Sequence, residues 1–290
     1  MTRWFTVTTS MLCLVCASCS APQGESDSTP GHPEDPEPEL RSFDGLEGFL
    51  SPEIGEEILA TTERVTISAS LESLSDNERL VIDELLAVGA IIHRLYEDSL
   101  HPEARAVAEH LENHAPDDGM EQEHLTMLRD LFWMFDGPVL RRPSGDRALL
   151  APVTEASPQR NIYPAGVEAD VIRAWAESHP NDGLLDIRSV VYRRTRDNLD
   201  RDRRALANHP EVAALHPDLE ARFESPEDPN GFYAVPQALA HVEELTEIRR
   251  RLRRASELIR SEDEDLADYL EQRARDLLSN DYEAGDAVWI

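Results

Sequence analysis

Residues 75–95 read SDNERLVIDELLAVGAIIHRL, and this stretch decides the fold. Ser75 and Glu78 have the spacing of a capping box, in which each side chain accepts a hydrogen bond from the backbone N–H of the other residue at a helix start. Apolar residues then recur at intervals of four and three, the spacing of a helix face that packs on a core: Val81, Leu85, Val88, Ile92 and Leu95. The stretch predicts a long helix that faces the core.

Helical periodicity continues through the rest of the chain. A second long helix is predicted from about Gln237 to Arg260, and a third from about Asp263 to Leu278. The apolar face of the second helix consists of Leu245, Ile248, Leu252, Ala255 and Ile259. Shorter helices are predicted at 102–114, 121–135, 167–178 and 198–207.

Strand signals are few and short. β-branched and aromatic residues predict strands at 65–69, 187–192 and 232–235. The predicted fold class is therefore mainly α with a few short β-strands. The chain is predicted to form a single helical lobe at 45–290. Its core is built by the helices that begin near Ser75, Gln237 and Asp263.

The charge of the chain excludes several classes of function. The 290 residues carry 28 basic and 58 acidic side chains, a formal net charge of -30. A nucleic-acid partner is excluded because phosphate contacts need a clustered surplus of positive charge. The sequence contains no lysine, which excludes Schiff-base chemistry and a P-loop.

The N-terminus is typical of an exported protein. Residues 1–18 are predicted to be a signal peptide, with Arg3 before a short apolar run and the small pair Ala17-Ser18 at its end. Cys19 follows directly and resembles the lipobox cysteine of bacterial lipoproteins, which is acylated. The resemblance implies lipidation at Cys19, a membrane partner through the lipid anchor, and location in the bacterial cell envelope. An ordinary signal peptide with an incidental cysteine is the alternative.

The segment after Cys19 is rich in proline and acidic residues. Five prolines lie between Ser20 and Leu40, among acids, glycine and serine. Such a composition predicts a disordered, solvated tether at 19–44. All three cysteines lie at or before Cys19, so the processed domain has no disulfide and no cysteine metal site.

His110 and His114 are the best candidates for a metal pair, since histidines at i and i+4 share a helix face and can reach one zinc ion. A zincin helix needs glutamate directly after the first histidine, and Leu111 stands there. A solvated helix face is therefore predicted, with no metal ligand and no catalytic residue. The isolated histidines His93, His124 and His241 are interpreted as structural.

The run from Arg249 to Arg254 is the one basic island. It could face anionic lipid. Acidic residues lie on both sides of it, at Glu243, Glu244 and Glu247 and from Glu262 to Asp265. A solvated helix surface with internal ion pairs is the predicted state.

Four segments, in the right order, resemble the bacterial zinc hydrolases related to dipeptidyl-peptidase III. Residues 269–289 read YLEQRARDLLSNDYEAGDAVW and are similar to the family stretch YLxxRAxxLLxxDYxxSDxxW. Residues 161–165, NIYPA, are similar to NFYPxD, and the FDGP turn at 135–138 lies where the family carries GPWDR. Residues 233–236, YAVP, resemble the VPY segment. Gly285 departs from the family serine.

The resemblance implies the non-catalytic N-terminal portion of a zinc metallopeptidase that cleaves short peptides. Asn161 and Tyr163 are then expected to face the substrate cleft. Zinc is a cofactor of intact family members, whose zinc helix follows the matched region, so a chain cut short before the zinc site is expected. The open alternative is a non-enzymatic envelope lipoprotein that docks a peptide or a protein partner.

Overall fold

The computed structural model describes residues 42–66, 68–154, 162–164, 166–224 and 226–288. Within them the chain forms twelve α-helices and two antiparallel sheets of two strands each. The first half contains α1 Pro52–Leu59, α2 Asp76–Leu100, α3 Ala104–Asn113, α4 Gly119–Phe135, β1 Val139–Arg141 and β2 Arg147–Leu149. The second half begins with α5 Ala169–Ser178, β3 Ser189–Arg194, α6 Arg196–Asn208, α7 Pro210–Leu215, α8 Leu219–Glu224 and β4 Asp228–Pro236. It ends with α9 Gln237–Ala240, α10 Val242–Ile259, α11 Glu264–Ser279 and α12 Glu283–Val288.

The capping box at the start of α2 is present. The Glu78 N–H donates to Ser75 Oγ at 3.1 Å, and the Ser75 N–H donates to a Glu78 carboxylate oxygen at 2.7 Å. Glu262, in the turn between α10 and α11, also accepts from Ser75 Oγ and from the Asn77 amide. The same residues therefore start α2 and join it to the other two long helices.

The predicted apolar face of α2 is correct at its start and wrong at Ile92. Val81 and Val88 are buried, and Leu85 and Leu95 are half-buried against the same core. Ile92 is 49% exposed, and its neighbour Ile91 is buried instead. Ile91 belongs to the same core as Val81 and Val88, so the apolar face continues with the residue three positions after Val88 and not with the one four positions after it.

Helices α2, α10 and α11 form the main core, as predicted. We call this group, with α6 to α9 and part of β4, the helical cluster. All five apolar positions predicted for the second long helix are buried. That helix is interrupted at His241, where α9 ends and α10 begins.

A second core lies under the first half of the chain. We call it the hairpin cluster, and it is built from α1, α3, α4 and the hairpin of β1 and β2. Its fully buried members include Leu125, Leu128, Leu131, Leu140 and Leu150. Phe43, at the described end of the segment predicted to be a tether, packs against it.

The strands predicted at 187–192 and 232–235 are present as β3, shifted by two residues, and β4, which is longer. They pair antiparallel, with Val191 opposite Ala234. The predicted strand at 65–69 is wrong for its described residues, which are irregular. Val65 is 72% exposed and has no strand beside it, so its β-branched shape is not enough to form a strand. The hairpin of β1 and β2 was not predicted because each strand has only three residues.

The fold class is confirmed as mainly α with a few short strands. Among the described residues no helix is long and apolar enough to cross a bilayer. The signal peptide at 1–18, Cys19 and most of the tether at 19–44 lie outside the described residues.

Candidate functional site

Tyr163 lies beside the sheet formed by β3 and β4. Asn161, the other residue predicted to face a substrate, lies outside the described residues. The Val191 N–H donates to the Ile162 carbonyl at 2.8 Å, which fixes the segment 162–164 along β3. Tyr163 is half-buried on a small apolar group that we call the Tyr163 cluster: Val167, Ile172, Leu184, Val191 and Phe232.

Trp175 of α5 is the largest side chain that packs on this cluster. Its ring lies edge-on to Phe232, with centroids 5.7 Å apart, and is stacked on His179 at 4.1 Å. A Cβ on Gly231 would lie 3.0 Å from the indole ring, so glycine lets the ring approach β4. The buried Trp175 Nε1–H has no acceptor among the described residues. The site therefore presents aromatic surface, and one buried donor beneath it has no partner among the described residues.

Ser178 and His179, at the end of α5, form the contact that most resembles a nucleophile and its base. Ser178 Oγ lies 2.9 Å from His179 Nδ1. The same Nδ1 lies 3.1 Å from the Trp175 carbonyl oxygen, which can only accept. Ser178 Oγ itself donates to this carbonyl at 2.9 Å, so its proton is directed at the backbone and not at the imidazole. This arrangement suits binding, not covalent chemistry.

The pair His110 and His114 does not form a zinc site. His110 Nε2 donates to the Gly45 carbonyl at 2.7 Å, and its ring is stacked on Phe49. His114 Nε2 lies 3.0 Å from a Glu121 carboxylate oxygen. The predicted solvated face is wrong for His110, because residues 43–49 fold over α3 and cover the ring.

A catalytic zinc ion needs about three protein ligands that converge on one open position. Within the described ranges, no three histidine, cysteine, aspartate or glutamate side chains come close enough to hold a metal ion. The Nε2 atoms of the one close histidine pair are already used by Gly45 and Glu121. The residues described here therefore do not fit the zinc ion of the resembled peptidases.

The isolated histidines have structural contacts. His124 Nε2 donates to the Leu50 carbonyl at 2.7 Å. His93 lies 3.0 Å from Glu97, whose pKa is raised by burial, an effect that His93 partly opposes. Burial lowers the pKa of His241. None of these side chains joins the group around Tyr163.

A buried polar group that the sequence interpretation missed lies between α6 and the sheet. The Tyr233 hydroxyl donates to Asp202 Oδ2 at 2.6 Å, and Arg201 Nε donates to Asp202 Oδ1 at 2.8 Å. The Arg201 guanidinium lies 4.2 Å from the Tyr192 ring centroid. Burial and then the Asp202 charge raise the pKa of Tyr233, so its hydroxyl stays a donor and the group fixes α6 to β3 and β4.

The sequence carries a signal for this buried acid. Asp202 lies three residues after Leu199 and four before Leu206, and both leucines are buried on the core face of α6. An acid at an apolar position of a helix face must find partners, since a buried unpaired carboxylate is costly. Asp202 was thus recognisable as a buried residue, although its partner Tyr233 was not.

The C-terminal segment that carries the family resemblance has a structural role here. Asp276, which is buried, accepts from the Gln272 amide at 2.7 Å, and Arg273 reaches Asp286 of α12 at 2.5 Å. A Cβ on Gly285 would lie 1.9 Å from Asp276 Oδ2. A side chain at 285 would therefore require the Asp276 carboxylate to move.

Ion pairs cover much of the basic run, as predicted. Arg250 makes two contacts of 2.7 Å to Glu247. Arg251 lies 3.0 Å from Glu84 of α2 and 2.7 Å from Glu247. Arg253 lies 3.3 Å from Glu271 of α11.

The described fold is that of a dipeptidyl-peptidase III-like partial structure, and this confirms the predicted resemblance at the level of fold. Two solved structures are similar to this chain. DPP III from Caldithrix abyssi matches with a TM-score of 0.56 and 18% identity, over 82% of this chain and 36% of that one. Dipeptidyl-peptidase III from Corallococcus sp. strain EGB matches with a TM-score of 0.59 and 20% identity, over 81% of this chain and 36% of that one.

This chain thus corresponds to about a third of the length of each of those peptidases. At 18% and 20% identity the likeness establishes the fold alone. No protein-family model matches the chain, and no curated protein matches it.

Proposed function

We propose that this chain is a dipeptidyl-peptidase III-like lobe that binds short peptides and has no peptidase activity of its own. The observation that carries the proposal is the likeness to two dipeptidyl-peptidase III structures over four fifths of this chain. The aromatic surface around Tyr163 supports it, because its polar groups can bind a peptide but include no activated nucleophile. Asn161 and Tyr163 are the proposed substrate-facing residues.

Peptide binding is tested by titrating the purified chain with a library of tetrapeptides and measuring tryptophan fluorescence. Trp175 packs on the same cluster as Tyr163, so a bound peptide changes its emission. Tyr163→Ala weakens binding, whereas Tyr96→Ala, a matched change on the exposed side of α2, leaves it unchanged. Equal affinities for the two variants would contradict the proposed surface.

The absence of activity is tested by metal analysis after dialysis and by hydrolysis of dipeptidyl-naphthylamides. We expect no turnover and well below one zinc ion per chain. Zinc near one per chain, with turnover that is lost in His110→Ala, would show that this histidine pair is a real site.

We further propose that the protein is an exported lipoprotein, acylated at Cys19 and held at the bacterial envelope. The support is the sequence alone: the apolar run, the small pair and the cysteine that follows. Cys19→Ala abolishes incorporation of a clickable fatty acid. Unchanged incorporation would remove the proposal.

A second candidate function is a scaffold lipoprotein that docks a protein partner. It is favoured by apolar side chains exposed on α2 and α4, with Leu86 at 68% and Trp133 at 75% exposed. Apolar surface of this kind marks protein interaction sites. A chain that binds no tetrapeptide but is cross-linked to another envelope protein through Trp133→Cys would favour this function over the first.

A further inference from the structure

A surface depression of about 420 Å³ lies along one face of α10. Thr246, Arg249, Arg250 and Arg253 line it, and their spacing of three, four and seven residues places them on the same side of the helix. Glu243 and Glu247 complete the lining. We call it the Arg249 depression.

The arginines there have more donors than their ion pairs use. Each guanidinium carries five N–H groups. Arg250 directs Nε and Nη2 at Glu247, which leaves Nη1, and Arg253 directs Nε at Glu271, which leaves both Nη atoms. Arg249 makes no ion pair or hydrogen bond within the described part of the chain.

The acids of the depression make contacts of their own. Glu243 Oε1 lies 3.1 Å from His209 Nε2, and Glu247 accepts from Arg250 and lies 2.7 Å from Arg251 Nε. These carboxylates therefore do not satisfy Arg249. Among the described residues the guanidinium donors of the depression outnumber the contacts they make, although the exposed Glu243 carboxylate keeps one oxygen without a partner.

Thr246 adds an independent observation. Its hydroxyl oxygen is buried and has no hydrogen-bond partner among the described residues. A threonine within a helix usually bonds to a carbonyl three or four residues earlier. Thr246 is one of the residues that line the depression, next to the free guanidinium of Arg249.

We propose that the Arg249 depression binds an oxyanion of the phosphate class, free or carried on a small molecule. Arginine forks bind phosphate oxygens through paired, charge-assisted hydrogen bonds, and a hydroxyl supplies a further donor. The net charge of -30 does not exclude such a ligand, because charges beyond about 8 Å are screened at physiological salt.

The test is calorimetric titration of the full chain with inorganic phosphate at physiological ionic strength. We expect saturable binding that weakens about tenfold in Arg249→Gln, the loss typical of one hydrogen bond to a charged group. Thr246→Val gives a smaller loss. Arg254→Gln is the matched control, since it removes the same charge from the same run but does not line the depression.

Arg253→Gln is a second variant, to be used if Arg249→Gln lowers the unfolding midpoint. Equal weakening in Arg249→Gln and Arg254→Gln would overturn the proposal, because it would show only a general effect of charge. Absence of binding at millimolar phosphate would also overturn it. Binding of phosphatidylglycerol vesicles without binding of inorganic phosphate would replace the small-molecule site with a membrane surface.

Discussion

The helical cluster and the hairpin cluster use different polar contacts to hold apolar cores of the same kind. In the hairpin cluster, histidines donate to loop carbonyls: His101 to Thr154, His110 to Gly45 and His124 to Leu50. The helical cluster has one contact of this kind, from His216 to the Leu278 carbonyl, and its most buried polar contacts come from side chains on helices. Asp202 accepts from Tyr233, and Ser256 donates to the Ala267 carbonyl.

The difference follows from the kind of backbone that surrounds each core. Long helices satisfy most of their own N–H and C=O groups, so fewer backbone groups in the helical cluster need a side-chain partner. The hairpin cluster is closed by the irregular segments 42–51 and 150–154, whose carbonyls have no ladder to join. An imidazole that reaches from a helix supplies the missing donor.

The largest loss of stability is expected from a matched pair of truncations, one in each core. Ile248→Ala in the helical cluster and Leu128→Ala in the hairpin cluster each remove a fully buried side chain. Each is expected to lower the free energy of unfolding by about 2–5 kcal/mol. Urea unfolding followed by circular dichroism and by tryptophan fluorescence measures it, and separate transitions for the two probes would show that the clusters unfold independently.

An intermediate effect is expected from Tyr233→Phe. This change leaves Asp202 buried with one donor fewer, at a cost of about 1–3 kcal/mol of unfolding free energy. Tyr192→Phe is the control, because its hydroxyl makes no hydrogen bond among the described residues. Equal losses in both variants would mean that the carboxylate contact contributes nothing.

A smaller effect is expected at the histidine contacts. His124→Phe removes the donor to the Leu50 carbonyl and should cost about 1 kcal/mol of unfolding free energy. His124→Gln keeps an N–H donor on a side chain of similar reach and should recover part of the loss. If glutamine proves no better than phenylalanine, ring packing and not the hydrogen bond holds the loop.

The smallest effect is a dependence on pH through His241, which lies where α9 meets α10. Burial lowers the pKa of His241 below its ordinary 6.5; Glu244 and Asp98 oppose the shift, and Arg105 adds to it. Between the lowered value and 6.5 the unfolded chain binds more protons than the folded one, so stability falls as the pH drops through 6.5.

His241→Asn should flatten this part of the pH profile. Thermal unfolding between about pH 7.5 and about pH 5.5 measures the difference between the variant and the parent chain. The burial that raises the pKa of Glu97 acts in the opposite direction, at lower pH. A variant profile parallel to that of the parent would assign the dependence to other groups.

The long helices were predictable because their signals are local. The capping box of Ser75 and Glu78 and the apolar face of α10 depend on residues within a few turns of one another. The errors came from distant partners. Ile91 and not Ile92 enters the core, because the packed neighbours decide which of two adjacent isoleucines is buried, and Val65 stays outside a sheet because no strand lies beside it among the described residues.

The candidate site was less predictable than the fold. Tyr163 came from a short motif, and its neighbours Trp175 and Phe232 lie far from it in sequence. No spacing rule joins them, since α5 and β4 are brought together only by the folded chain. Helical spacing predicts which residues line the Arg249 depression. It does not predict which of their guanidinium groups lacks a partner.

The close approach of Gly285 to Asp276 restricts the order in which substitutions can be accepted. A side chain at 285 and the carboxylate at 276 compete for the same space, so serine cannot enter while aspartate remains as placed. Either the Asp276 side chain rotates away or a shorter residue replaces it, and both come at the expense of the Gln272 contact. The two positions thus form an epistatic pair, in which the effect of one exchange depends on whether the other has already occurred.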